Sequence, residues 1–160
     1  MPNEKQTSEL DRVVTLVESH LKEEDLTPDD VKMKTADGHP AWAFRQGSAS
    51  VRIHLLAGDK ESEYGYFQVV APVIILPKDG RDKIFEKLLS LNADQLWSCA
   101  FAVRQDRVII TADRTTRDLD RSEVVEMIER VAAYADKFDD ELVEQYGGTR
   151  YTDRPIGKES

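Results

Sequence analysis

The stretch from Val69 to Leu76, Val-Val-Ala-Pro-Val-Ile-Ile-Leu, is apolar at every position and lies inside a longer segment, Tyr64 to Leu96, that organises the rest of the chain. Its β-branched and aromatic residues favour a strand, and Pro77-Lys78-Asp79-Gly80 supplies the turn that ends it. A strand with one wet face alternates with period two. This one does not, so both of its faces need cover. One face meets helices. The other requires a second subunit, a bound partner or a folded-back terminus. Pro72 cannot donate to a ladder, which predicts a bulge or an exposed edge at that point.

The elements around this strand follow in order. Ser8 with an acid at Asp11 suggests a helix start, and Leu10, Val13, Val14, Val17 and Leu21 recur at helical spacing to about Asp25. Residues 26–40 hold Thr-Pro, Asp-Gly and His-Pro and read as a loop, with one short extended piece at 31–34. Ala41–Arg45 and Ala49–Leu56 around Gly47-Ser48 form a hairpin. After Gly80 a helix is expected to about Asn92, then a second hairpin, Trp97–Arg104 and Arg107–Asp113, around Gln105-Asp106. Asp120-x-x-Glu123 opens a last helix that runs to Tyr146 and stops at Gly147-Gly148. The order, helix, three strands, helix, two strands, helix, predicts an α+β fold, an antiparallel sheet with helices on one face. Residues 1–7 are expected to be flexible, 8–148 to form one domain and 149–160 a disordered tail.

The chain carries 22 basic and 31 acidic residues in 160, a net charge of −9. The excess is uneven. Residues 1–40 hold 5 basic and 10 acidic groups, 41–113 nine of each, and 114–160 eight and twelve. Acidic flanks argue against binding nucleic acid or an anionic membrane surface. No apolar run is long enough to span a bilayer, and the first residues lack a secretory pattern. With Cys99 as the single cysteine, a reducing cytoplasm is the expected compartment.

No catalytic constellation emerges. His20, His39 and His54 fall on a helix, a loop and a strand without metal-ligand spacing. Cys99 is in phase with Trp97, Phe101 and Val103, which predicts a core thiol. The turns Ala57–Lys60 and Lys78–Arg81 lack the glycine spacing of a phosphate loop, and Asp113, Asp118 and Asp120 lack a calcium-loop pattern. No metal or cofactor is expected. If Trp42, Phe44, Val51, Ile53, Leu55, Trp97, Phe101 and Val103 point inward, then Arg45, Arg52, His54, Gln68 and Arg104 share the opposite sheet face. That face is either a solvated surface of cross-strand ion pairs or a docking surface for an acidic partner.

Ser90-Leu91-Asn92, Arg117-Asp118-Leu119-Asp120 and the run Tyr134–Asp139 leading to Gly147-Gly148 resemble the YbjN family, over about residues 8–148. The fold of that family is similar to that of class I type III secretion chaperones. The resemblance implies a small cytoplasmic protein that binds a protein partner or acts as a regulator without catalysis, and is dimeric. The uncovered apolar surface places the dimer interface at Val70, Pro72, Ile74, Leu76, Phe85 and Leu88. The alternative is a small-ligand sensor or enzyme with a pocket on the open face, assembled from Arg45, Arg52 and His54.

Overall fold

The protein is described by a computed structural model over residues 2–151. Helix α1 spans Glu4–Glu23 and is capped by Asn3, whose side chain accepts the Gln6 N–H at 2.9 Å. The cap lies five residues before Ser8 because the first turn is anchored elsewhere. Gln6 is fully buried, and its amide donates to the Ser62 carbonyl at 2.9 Å. Residues 4–7, expected to be flexible, therefore belong to the helix.

A short 3-10 turn, Pro28–Val31, leads to β1 (Ala41–Gln46), β2 (Ala49–Leu56) and β3 (Tyr66–Ile75). Helix α2 (Arg81–Asp94), β4 (Ala100–Arg104), β5 (Arg107–Thr115), α3 (Arg121–Tyr146) and β6 (Thr149–Arg150) complete the order. The sheet runs β1-β2-β3-β5-β4, with β6 pairing with β3. The α+β class and the element order match the sequence expectation. The capping box at α3 is present in both directions: the Glu123 N–H donates to Asp120 Oδ1 at 2.9 Å and the Asp120 N–H to Glu123 Oε2 at 3.0 Å.

Three expectations change. First, β3 sits between β2 and β5, so of the two alternatives for Pro72, a bulge or an exposed edge, the exposed edge does not hold. Second, residues 149 and 150, expected in a disordered tail, pair with Ile75 and Ile74, and Tyr151 is buried. Gly147 and Gly148 turn the chain back with φ of 82° and 87°, and a Cβ on Gly148 would lie 2.4 Å from the Ile75 carbonyl oxygen. Only glycine fits there. Residues 152–160 of that tail lie outside the described residues. Third, Trp97 is 73% exposed and Val103 44%, so neither points inward. Ser98 takes a left-handed φ of 55°, which breaks the extended path, and β4 starts only at Ala100.

The contacts group into two compact units. One holds the described residues of Met1–Phe44, Arg52–Val69 and Asp113–Glu129; the other holds Arg45–Val51, Val70–Ala112 and the described residues of Arg130–Ser160. In the first, Val13, Val17 and Leu21 of α1 are buried, as are Trp42, Ile53, Leu55 and Phe67. Arg12 ties α1 down by donating to the carbonyls of Leu119, at 2.7 Å, and Thr116, at 3.0 Å. In the second, Ile74, Ile84, Ile110, Phe138 and Leu142 are buried, and the Phe101 and Phe138 rings meet edge to face with centroids 5.3 Å apart.

Candidate functional site

The first unit carries a groove of about 630 Å³ lined by the 32–42 segment and Val14 of α1. Its geometry follows from a tight turn at Thr35–His39. Gly38 takes φ 77°, its N–H reaches the Thr35 carbonyl at 3.2 Å, and the Thr35 hydroxyl donates to the His39 carbonyl at 2.8 Å. Before the turn, Lys32 bridges to Trp42, and the Met33 N–H donates to the Ala41 carbonyl at 2.8 Å. Residues 32 and 33 thus lie as a fragment of extra strand on β1. The floor is Trp42, fully buried, whose indole N–H has no hydrogen-bond partner among the described residues.

At the rim, His39 Nδ1 meets the Asp37 carboxylate, and His39 Nε2 lies 3.0 Å from His54 Nδ1. With Asp37 holding one nitrogen, the other exchanges a proton bond with His54, one ring donating and the other accepting. The hydrogen bond from His39 holds the Asp37 carboxyl below its usual range.

The second unit carries a smaller groove, about 190 Å³, lined by Phe85, Leu88, Leu89 and Asn92 of α2 and Phe101, Ala102 and Val103 of β4. It has no charged side chain. Leu89 is 70% exposed, and β4 ends the sheet order. In the β4–β5 hairpin, Phe101 faces Ile110 and Val103 faces Val108. The backbone of Phe101 turns to the Asn92 carboxamide, which accepts its N–H at 2.6 Å and donates to its carbonyl at 3.2 Å. Asn92 therefore stands where a neighbouring strand would be.

The residues expected to face a partner divide between the units. Arg52, His54 and Gln68 are half-buried in the first, and Arg52 and His54 share one face of β2. Arg45 on β1 and Arg104 on β4 are exposed and belong to the second, on the two terminal strands of the order. Neither groove is lined by Arg45, Arg52 and His54 together. His54 joins the larger groove only through His39. Of the expected interface, Val70, Pro72, Ile74, Leu76 and Leu88 are already buried within the one chain, while Phe85 is 36% exposed.

Cys99 is half-buried, and burial pushes its thiol up to about 11 against a smaller opposing pull from Arg130. Among the described residues no cluster of three or more His, Cys, Asp or Glu can hold a metal ion, and no helix is long and apolar enough to cross a membrane.

Residues 11–154 match the family described as TY-Chap1, the T3SS (YopN, CesT) and YbjN peptide-binding chaperone 1. The chain belongs to this family. Among solved structures, this chain is similar in fold to one in the ExsC-ExsE complex, with a TM-score of 0.60, 16% identity, and coverage of 81% of this chain and 92% of that one. A second is the heterodimeric ExoU-SpcU complex from the type III secretion system of Pseudomonas aeruginosa, with a TM-score of 0.50, 11% identity, and coverage of 66% and 85%. At such identities the likeness concerns the fold. No curated protein matches the sequence.

Proposed function

We propose that the protein is a non-enzymatic, chaperone-like adaptor of the cytoplasm, a homodimer of one-domain chains that holds a segment of a partner protein. The observation that carries this reading is the match of residues 11–154 to a family of peptide-binding chaperones. Both solved relatives are complexes of two named proteins, which is the arrangement proposed for this chain. In this reading Arg45, Arg52, His54, Gln68 and Arg104 contribute to partner contact. Arginine suits it, because its planar fork bonds carboxylates bidentately.

The second copy is assigned to the uncharged groove. The strand residues Val70, Pro72, Ile74 and Leu76 are covered by their own chain, so the contact falls on Phe85, Leu89 and Val103, whose apolar surface remains exposed. Light scattering is expected to give twice 18.2 kDa for the parent. Leu89→Asp, at a position 70% exposed, is expected to give 18.2 kDa with unchanged folding. A parent that is monomeric at micromolar concentration removes the dimer. Affinity capture from the native cell, followed by titration of the purified partner, tests the adaptor itself. A captured protein that shows no binding once purified contradicts it.

A further inference from the structure

The larger groove has a chemistry that its family does not specify. Residues 1–40 are twice as acidic as basic, yet the side chains lining this groove include two lysines, Lys32 and Lys34, and no carboxylate. Among the described residues neither lysine has an ion-pair partner, and both are exposed at the rim. Behind them the wall is apolar, made by Val14, Met33, Pro40 and Trp42. Trp42 is fully buried beneath this wall, and among the described residues its indole N–H has no hydrogen-bond partner.

We infer that this groove takes an acidic, extended peptide segment that buries one aromatic or aliphatic side chain in its wall. The carboxylates of the segment meet Lys32 and Lys34. Trp42 forms the floor beneath that side chain. An extended segment fits because residues 32 and 33 already lie as a fragment of strand on β1, where main-chain pairing is incomplete and side chains alternate between wall and rim. Charge supplies selection: a basic segment meets two like-charged lysines. This inference rests on the partner-binding reading and names the chemistry of the segment and its seat.

The test uses three short fluorescein-labelled synthetic peptides and the full chain. One carries glutamates around a central Phe-Leu pair, one replaces that pair by Ser-Ser, and one replaces the glutamates by lysines. Anisotropy is expected to rank the first at least about tenfold tighter than the others. Lys32→Glu with Lys34→Glu is expected to weaken it by a similar factor at unchanged circular dichroism. In nitrogen–proton spectra, assigned with Trp97→Phe, the Trp42 indole signal is expected to move on titration while the Trp97 signal stays. If a peptide binds but the lysine reversals leave it unaffected, or the Trp42 signal stays in place, the groove is not the seat and the adaptor reading stands. If the lysine peptide binds best, the chemistry is wrong. If none binds, the inference fails, and capture of the native partner then decides separately whether the adaptor reading fails too.

Discussion

The two grooves are built from opposite materials. The one in the first unit is shaped by an irregular segment with two lysines and the His39–Asp37 pair at its rim, an apolar wall and a buried tryptophan floor. The one in the second unit lies on regular elements, α2 and β4, and carries no charge. A surface without charge discriminates little between partners but gains from burial against a copy of itself. A surface that combines charge with an apolar wall selects by sign and shape. The contrast teaches that association and recognition need not share a surface in this chain.

The two tryptophans sharpen that contrast most strongly. Trp42 is fully buried and Trp97 is 73% exposed. Trp42→Ala is expected to cost roughly 3–5 kcal/mol in denaturant titrations. Trp97→Ala is expected to stay within about 0.5 kcal/mol. Equal costs would mean that the burial of one of them is misassigned.

Asn92 comes next. Its carboxamide satisfies both backbone groups of Phe101, so Asn92→Ala is expected to cost about 1–2 kcal/mol and to accelerate hydrogen exchange at the Phe101 amide. Unchanged exchange there would show that β4 does not depend on this substitute neighbour.

Reversing Arg52 and Arg104 to Glu is expected to change stability by about 0–1 kcal/mol per charge, because both groups are at least partly exposed. Partner binding is expected to fall and lose its salt dependence. Binding that equals the parent at low salt would make these arginines a solvated face. A variant that fails to fold would make them structural.

The smallest effect concerns Cys99. Its alkylation rate is expected to keep rising with pH beyond 9, because burial pushes the thiol up to about 11. The folded state holds the proton more tightly than the unfolded one. The associated stability is therefore complete below about 9 and is lost as pH rises from 9 toward 11. The residue is half-buried, so Cys99→Ser is expected to cost below about 1 kcal/mol in thermal unfolding, less than a fully buried core thiol would.

The regular elements were readable because their signals are periodic or local. The alternation in Ala49–Leu56, the helical spacing after Gly80 and the reciprocal Asp120 and Glu123 cap all appear in the sequence and in the fold. Apolar continuity in Val69–Leu76 correctly implied cover on both faces, but not its source. The exposure of Trp97 and Val103 was not readable, since a single left-handed residue at Ser98 breaks the phase without changing the composition. The cap at Asn3 is not legible in the sequence, because Ser8 offers the stronger capping pattern and only the burial of Gln6 favours the earlier start. The larger groove is hidden for a related reason. Its lining comes from a loop without periodicity, and the alternation Lys32-Met33-Lys34 beside His39-Pro40 was its one visible trace.

Hydrogen exchange of the chain with and without its purified partner tests the central claim, that the protein is a homodimer holding a partner segment, most directly. The account predicts that the partner protects amides of residues 32–42. Protection across residues 85–103 is predicted to follow protein concentration and to be independent of partner. Partner protection confined to residues 85–103, or no new protection anywhere, would contradict it.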